Sequence, residues 1–374
     1  MAVGILSPAE IEGELTPPGT SHHRIFRPSK EPLEVGLSAI DLPLGEKYWV
    51  MWGSCRSGPD LRVADLVRYF AVEGPKELLP GTVLQRGKVY LVELDVDVEL
   101  SRTRIQGKAT GRSSIGRLDV LVRLLADAGP EFDRLPENAV GDLFVEVAPI
   151  TFDLLVSPGT CLSQLRLYRG SEDLFTLTRE ELQYESPFPV VTASGHELVQ
   201  ESRGREMTLP FSLDLSPDPG TGFAAYVAKE NPEQPIDPDR AGYYDPRDFW
   251  EPVTLGQDRH LQLLTNRLYI LRSKERLRLP GHLAVECQTY TETLGEWRIE
   301  YAGFAHPWFG FSRSNGTPII FEVRGHNIRT ILRDGLQLGN VMFRRMSKDA
   351  EKPKRWPQYE AQELKLSSCF KPWA

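Results

Sequence analysis

The chain has 374 residues, and at about 150 residues per domain this length predicts two domains. Its 31 glycines and 29 prolines divide it into short segments, which argues against a helical bundle, a coiled coil or a solenoid of long helices. A formal net charge of −8 disfavours non-specific binding to nucleic acid polymers or to an anionic membrane, so an anionic ligand would need a local basic cluster.

Targeting and metal-binding signals are weak in this sequence. No apolar stretch approaches the roughly 18 residues of a membrane span. Residues 1–15 lack a basic segment followed by an apolar run, so we expect no secretory signal, and four scattered cysteines indicate reduced thiols in a cytoplasmic protein. The histidines and cysteines show no ligand spacing, so we expect no zinc site.

Short apolar segments separated by Gly and Pro are the main secondary-structure signal. Helical periodicity predicts helices over residues 8–15, 61–70 and 118–126. Alternation predicts strands over 87–94, 143–147, 162–168, 267–271, 319–323 and 339–344. The composition of 231–246 predicts a long loop and that of 187–205 a linker. We therefore predict a mainly β protein with few short helices and with two domains, 1–190 and 191–374.

A weak internal repeat indicates that the two domains are of one type. Residues 144–147 (FVEV) and 320–323 (IFEV) align at an offset of 176, which also pairs Gly159 with Gly335. Upstream, residues 88–92 align with 267–271 at an offset of 179. The shared order of strand, connection, Glu-containing strand and Gly turn predicts a duplicated all-β unit.

The clearest basic concentration is the segment 102–117, which holds no acidic residue and five basic ones: Arg102, Arg104, Lys108, Arg112 and Arg117. Within it, residues 111–117 (GRSSIGR) combine guanidinium groups, the hydroxyls of Ser113 and Ser114, and glycines that let a ligand approach the backbone. These groups suit a phosphate-binding turn. A solvated basic turn, with Ser as the N-cap of a helix from Leu118, explains the same residues.

Glu146 and Glu322 occupy the same position of the repeat, each between apolar residues of a predicted strand. Because side chains alternate between the faces of a strand, either glutamate can point to solvent. A glutamate that faces a closed pocket is instead placed to act as a general base. The recurrence in both halves favours the pocket.

Two segments of the second half are further candidates for a site. Residues 301–310 (YAGFAHPWFG) predict an aromatic hairpin whose Ala302 and Gly303 allow a flat base or sugar to lie against the backbone, although a hairpin packed in the core fits equally. His306, which precedes a proline, is more typical of a turn than of a catalyst. Residues 356–367 predict either a mobile segment that closes a site or a disordered tail.

Together these motifs resemble those of dCTP deaminases in the dUTPase-related superfamily, and the whole chain resembles the long bacterial form with two tandem dUTPase-like domains. The resemblance is carried by residues 111–119 (GRSSIGRLD), 162–166 (LSQLR), 36–45 (GLSAIDLPLG) and 294–304 (LGEWRIEYAGF). Tyr359 and Gln362, followed by the LKLS ending, resemble the closing segment of the family.

This resemblance implies distorted β-barrel domains, a homo-oligomer with sites between neighbouring chains, and hydrolysis of dCTP to dUTP and ammonia, which supplies dUTP for thymidylate synthesis. It implies Mg²⁺ carried by the triphosphate and no zinc; the signature of zinc deaminases is also absent from the sequence. In the family, a strand glutamate relays protons to and from the attacking water. The implied substrate contacts are Ser113, Ser114 and Arg117 in the turn, Arg112 on phosphate, Ala302, Gly303 and Phe304 around the base and deoxyribose, and Tyr359 and Gln362 closing the site.

Each half lacks part of the family pattern. The second half has QTYTET (288–293) in place of the Ser/Arg turn, and the first has ADAGP (126–130) in place of the hairpin. We therefore predict composite sites, with the Ser113/Arg117 turn from domain one and the hairpin with Glu322 from domain two. Glu146 ranks below Glu322 in this interpretation.

Alternative functions stay open at this point. His306 stands where the family hairpin has an Asp that, in dUTPases, activates the water attacking phosphorus, so a diphosphatase activity is less expected. The leading prediction is a dCTP deaminase. The alternatives are a dUTP diphosphatase or a bifunctional dCTP-to-dUMP enzyme, and a non-catalytic nucleotide-binding protein.

Overall fold

The computed structural model describes residues 2–15, 25–29, 32–58, 60–127, 129, 131–198, 206–288, 297–299, 303–357 and 359–373. Over these ranges the chain is mainly β with a few short helices, which confirms the predicted fold class. The named strands pair in antiparallel sheets. No helix in the described residues is long and apolar enough to cross a membrane.

Two compact units divide the chain. The first comprises Met1–Ser171 and the separate segment Glu233–Ala241, and the second comprises Glu172–Pro232 and Gly242–Ala374. Residues 172–190, which the sequence interpretation assigned to the first domain, thus pack within the second unit. The segment Glu233–Ala241 joins the first unit through the buried Ile236, whose carbonyl accepts a hydrogen bond from Leu155 N at 2.8 Å.

The first unit is built around a ten-stranded sheet. In chain order its elements are β1 Gly4–Ile5, α1 Pro8–Glu14, β2 Ile25–Phe26, β3 Ile40–Met51, α2 Val63–Phe70, β4 Ala71–Glu77, β5 Thr82–Leu84, β6 Val89–Glu99, β7 Ile105–Gly111, α3 Ser113–Gly116, β8 Val120–Ala126, β9 Arg134–Leu135, β10 Val140–Pro149, β11 Leu154–Val156 and β12 Cys161–Arg169. The sheet runs in the order β8-β10-β6-β3-β12-β7-β9, and β5 pairs with β11 in a small separate sheet.

The second unit has the same plan. Its elements are α4 Glu172–Phe175, α5 Arg179–Leu182, β13 Val190–Val191, β14 Leu209–Asp214, β15 Ala225–Ala228, a 3₁₀ helix Pro246–Asp248, β16 Trp250–Val253, β17 His260–Leu263, β18 Leu268–Leu277, β19 Leu283–Gln288, β20 Trp297–Ile299, β21 Phe304–Ala305, β22 Thr317–Gly325, β23 Thr330–Arg333 and β24 Gln337–Arg345. The order β18-β14-β24-β19 repeats β6-β3-β12-β7 of the first unit, and β17 pairs with β23 as β5 pairs with β11.

All six predicted strands are present, but the helix predicted over 118–126 is wrong. Residues Val120–Ala126 form β8, which pairs with β10 from Val120 opposite Pro149 to Ala126 opposite Leu143. The apolar run fitted both periodicities, and its β-branched Val120 and Val122 pack well on a pleated sheet. The other two helices are confirmed as α1 and α2.

The register of the strands confirms the internal repeat. Tyr90 lies opposite Val147 in the first unit, and Tyr269 lies opposite Val323 in the second, as the offsets of 179 and 176 require. The hydroxyl of each tyrosine accepts a backbone hydrogen bond from the residue five positions earlier, at 2.8 Å for Tyr90 and 3.0 Å for Tyr269. The two halves therefore share the strand register and also the tyrosine hydroxyl that accepts a hydrogen bond from the turn before the strand.

Candidate functional site

The Ser/Arg turn connects β7 to β8 in the first unit. Arg112, not a serine, is the N-cap residue of α3, so the expected Ser N-cap of a helix from Leu118 is wrong. Ser113 and Ser114 lie half-buried in the single helical turn, which the buried Ile115 anchors in the core. The hydroxyls of the turn are therefore carried on a fixed backbone at the end of a strand.

Arg112 places its guanidinium at the edge of the turn. Its Nη1 donates to the carbonyl of Cys161 at 3.3 Å, and its Nη2 lies 3.5 Å from Asp41 Oδ2. The side chain remains 39% exposed, which leaves the guanidinium accessible to an anion from solvent. Burial raises the pKa of Asp41, and the charge of Arg112 opposes that rise.

Arg117 lies inside the unit and closes the turn. It is only 3% exposed, and Ile115 and Leu118 beside it are buried as well. Two residues further on, Asp119 is fully buried with φ of 58°, accepts a hydrogen bond from Thr151 Oγ1, and its carbonyl accepts one from Ile150 N at 2.9 Å. Hydrogen bonds of Asp119 thus fix the segment that ends the turn and leads into β8.

Glu146 is buried near the middle of β10 and has both carboxylate oxygens engaged. Arg123 of β8 lies opposite it and donates to Oε1 from Nη2 at 2.6 Å and from Nε at 3.2 Å. Cys55 N donates to Oε2 at 3.2 Å. The alternative in which Glu146 points to solvent is therefore wrong, and its role as a general base stays a prediction.

Glu322 is also buried, in β22 of the second unit, and lies near the thiol of Cys287. Burial raises the pKa of Cys287 to about 12, and the negative charges of Glu322 and Glu286 add to the rise. Cys287 N donates to the carbonyl of Gly303 at 2.8 Å, so one end of the predicted hairpin lies against the same cysteine. The structure thereby brings Gly303 and Glu322 together around a neutral thiol.

The remaining hairpin residues are placed as follows. Phe304 lies half-buried opposite Glu286, while Ala302 lies outside the described residues. His306 is half-buried, its Nδ1 donates to the carbonyl of Pro307 at 2.7 Å, and burial lowers its pKa. Its imidazole is therefore held in the turn in its neutral form.

The C-terminal residues 359–373 pack on the second unit, so the alternative of a disordered tail is wrong over this range, while closure of a site by the segment stays a prediction. Gln362 is buried and its Nε2 donates to the carbonyl of Pro318 at 3.2 Å, while Tyr359 OH accepts from Ser368 N at 3.0 Å. The buried carboxylate of Glu360 accepts hydrogen bonds from Gly310 N and Ser312 N, both at 2.9 Å. These contacts fix the segment within its own unit.

A cavity of about 540 Å³ in the first unit is lined in part by Leu44, Gly45 and Gly159, but not by the residues of the Ser/Arg turn or by Glu146. Its lining includes Arg27, Lys47, Glu93, Asp95, Asp97 and Asp142. No group of three or more His, Cys, Asp or Glu side chains in the described ranges is arranged to hold a metal ion.

Sequence reasoning missed Arg123 and Cys55, which donate hydrogen bonds to Glu146, and Cys287, whose thiol lies near Glu322. The sequence analysis placed Arg123 in a predicted helix, so it could not predict that Arg123 lies opposite Glu146 in a sheet. Cys55 reaches Glu146 across 91 positions of chain, and no local pattern signals such a contact. One sequence signal could have pointed to Cys287 as a site residue. It directly precedes residues 288–293, which replace the Ser/Arg turn in the second half.

Two family models together match most of the chain. The model of the N-terminal domain of 2'-deoxycytidine 5'-triphosphate deaminase matches residues 4–171, and the model of its C-terminal domain matches residues 189–370. The crystal structure of 2'-deoxycytidine 5'-triphosphate deaminase from Agrobacterium tumefaciens is similar to the whole chain, with a TM-score of 0.82 and 28% sequence identity over 94% of this chain and 100% of that one. No curated protein matches the sequence significantly.

Proposed function

The chain belongs to the 2'-deoxycytidine 5'-triphosphate deaminase family, and from this premise we propose that it hydrolyses dCTP to dUTP and ammonia with Glu146 as the proton relay. The observation that supports this role is the buried Glu146 carboxylate, held by Arg123 and Cys55 N in the same unit as the Ser/Arg turn. The sequence interpretation ranked Glu322 first. We reverse that order because Glu146 lies in the unit that carries the Ser/Arg turn, opposite Arg123, whose guanidinium donates to its carboxylate.

The turn supplies the groups for the nucleotide. In the proposal the exposed guanidinium of Arg112 binds phosphate oxygens, and Ser113, Ser114 and Arg117 bind the triphosphate and base region. Gly303 and Phe304, together with Ala302, Tyr359 and Gln362, keep their proposed contacts to the base, deoxyribose and closed site. Mg²⁺ enters bound to the triphosphate as part of the substrate.

The proposed chemistry is one hydrolysis at C4 of cytosine. A water molecule gives a proton to the Glu146 carboxylate as its oxygen bonds to C4, and the electron pair of the C4–N3 double bond moves to N3, which takes up a proton. The proton on N3 is the one that Glu146 took from the water. The remaining hydroxyl proton then passes through the same carboxylate to the amino nitrogen, which leaves as ammonia as the C4 carbonyl forms. The sum is dCTP and water giving dUTP and ammonia.

We also propose that the chain acts as a homo-oligomer in which a neighbouring chain completes each site. In this proposal it works in the cytoplasm, where the dUTP it makes supplies thymidylate synthesis. The resemblance to the family supports both proposals, and the incomplete motif set of each half supports the site shared between chains.

The test is incubation of the purified protein with dCTP and Mg²⁺, with and without the zinc chelator phenanthroline, following ammonia, pyrophosphate and the nucleotide product. We expect dUTP and ammonia in equal amounts, with no loss in the chelator. Ammonia with pyrophosphate and dUMP would indicate the bifunctional enzyme, and pyrophosphate from dUTP alone the diphosphatase. Binding of dCTP without any product would indicate a non-catalytic nucleotide-binding protein.

A further inference from the structure

Arg123 and Glu146 lie opposite each other in the pairing of β8 with β10. We propose that Arg123 is a positioning residue for the deamination, which holds the carboxylate of Glu146 charged and in one orientation. The inference rests on the proposed function, because it assigns a further residue to the same site.

The two oxygens of Glu146 are held from different sides. Arg123 donates hydrogen bonds to Oε1 from Nη2 at 2.6 Å and from Nε at 3.2 Å. The backbone N of Cys55, in the loop after β3, donates to Oε2 at 3.2 Å. Hydrogen bonds to both oxygens oppose rotation of the carboxylate about its terminal bond. A proton acceptor that keeps one orientation is what water attack at a fixed carbon needs.

The guanidinium is itself fixed by two further contacts. Its Nη2 also donates to Ser54 Oγ at 2.6 Å, and its Cζ lies 4.0 Å from the centre of the Phe132 ring. The ring attracts the cation through its face, which adds to the ion pair. Arg123 is thus held by Phe132 from one side and by the Ser54–Cys55 loop from another.

The burial of the pair decides its electrostatic role. The side chain of Glu146 is 4% exposed and that of Arg123 is 25% exposed, so the carboxylate has little water and the guanidinium has some. Removing a carboxylate from water disfavours its charged form, and a cation at 2.6 Å offsets that effect. Because a guanidinium stays charged at every pH of interest, the offset persists wherever the enzyme works.

A test of the Arg123–Glu146 pair must distinguish its effect on the pH profile from the effects of neighbouring groups. The residue opposite Glu146 on β6 is the apolar Leu91, and the loop after β3 contacts Glu146 through the backbone N of Cys55. The same loop also carries the charged residues Arg56 and Asp60. Asp133 also feels the charge of Arg123: burial raises the pKa of Asp133 to about 6, and Arg123 is among the cations that oppose the rise. A change in pH dependence on removal of Arg123 therefore has two sources, Glu146 and Asp133.

The experiment measures kcat and KM for ammonia release from dCTP between about pH 5 and pH 9 in Arg123→Met, Arg123→Lys and the wild-type chain. We expect Arg123→Met to lower kcat about 100-fold with KM little changed, and to move the acidic limb of the profile to higher pH. Arg123→Lys should restore the position of the acidic limb but only part of kcat. A lysine ammonium cannot reproduce the paired hydrogen bonds that the Nε and Nη2 of Arg123 donate to Glu146. Added guanidinium ion partly restores Arg123→Met.

Two controls separate this role from general stability and from Asp133. Arg27→Met removes another partly buried ion pair of the first unit, with Asp95 at 2.6 Å, and should lower the melting temperature without moving the pH profile. Asp133→Asn should leave the effect of Arg123→Met on the profile in place. If the shift disappears in the Asp133→Asn background, Asp133 is its source and the proposal is wrong.

A folded Arg123→Met variant with wild-type kcat and profile would overturn the inference and leave the proposed function standing. If Arg123→Met does not fold, Phe132→Leu and Ser54→Ala loosen the guanidinium while keeping it; both should then lower kcat, and unchanged kcat in both would overturn the inference. A wild-type chain that releases no ammonia from dCTP would overturn the function and the inference together.

Discussion

Glu146 and Glu322 occupy equivalent positions in the two units, with Glu146 opposite Leu91 and Glu322 opposite Ile270 across the same pair of strands. Both glutamates are nearly fully buried. Glu146 lies in the unit that carries the Ser/Arg turn and pairs with the guanidinium of Arg123 at 2.6 Å. Glu322 lies in the other unit near the thiol of Cys287, and burial raises the pKa of that thiol to about 12. One backbone position thus carries two different electrostatic environments.

The first prediction follows from this difference. Glu146→Gln should lower ammonia release from dCTP by about 1,000-fold, because an amide cannot accept the proton of the attacking water. Glu322→Gln is the matched control at the equivalent register position and should retain activity within about tenfold. Steady-state ammonia assays on both variants decide the matter. The opposite result would restore Glu322 as the proton relay, as the sequence interpretation had it.

The second prediction concerns phosphate binding by the turn. Arg112→Met should raise KM for dCTP about tenfold with little change in kcat, since a lost charge-assisted contact to phosphate weakens ground state and transition state alike. Arg104→Met, in the same basic segment but exposed outside the turn, is the control and should leave KM nearly unchanged. Equal increases in the two variants would instead mean that the overall positive field of 102–117 attracts the nucleotide.

The pattern of the strands could be predicted from the sequence because alternation and offset are local or repeated signals. The offsets of 179 and 176 map Leu91 onto Ile270 and Glu146 onto Glu322, and in each unit the structure places these two residues opposite each other. The position of Arg123 could not be predicted in this way. The apolar run around it satisfies a helical and an extended period, and only the pairing of β8 with β10 brings its guanidinium to the carboxylate.

Contacts between distant parts of the chain also could not be predicted from the sequence. The C-terminal segment has few apolar residues in a row, and its composition is typical of a tail. Its position instead depends on Glu360, which accepts backbone hydrogen bonds from Gly310 and Ser312, some 50 positions earlier. A buried carboxylate that satisfies distant backbone donors leaves no periodic pattern in the sequence.

The third prediction is a pH-dependent stability effect at Asp97, which lines the cavity of the first unit. Burial, followed by the neighbouring Asp142, raises the pKa of Asp97 from 3.8 to about 6. The folded state therefore prefers the protonated form, and the stability from this group is present below pH 3.8 and lost as the pH rises through about 6. Asp97→Asn should raise the melting temperature at pH 8 and change it little at pH 4.

The size of that effect is limited because the pair is partly exposed and solvent screens it, so we expect about 1 kcal/mol at most. Asp95→Asn is the control two residues away on the same strand. Its carboxylate pairs with Arg27 at 2.6 Å, so its loss should lower the melting temperature at pH 8. Thermal unfolding at both pH values tests the two variants, and a lower melting temperature for Asp97→Asn at pH 8 would contradict the prediction.

The last prediction concerns Arg344, one of the buried arginines of the second unit. Its Nη2 lies 2.8 Å from Glu286 Oε2 and 2.6 Å from Glu172 Oε2, and the side chain is 5% exposed. Arg344→Met leaves the buried Glu286 without this cation, which should destabilise the unit by about 3–5 kcal/mol. Arg345→Met, the next residue, removes only an exposed pair at 3.5 Å and should cost under about 1 kcal/mol. Because a chain of two units need not unfold in one step, hydrogen exchange of β19 and β24 is the proper measurement. Equal protection of these strands in the two variants would show that the Arg344 pairs contribute no more than a surface ion pair.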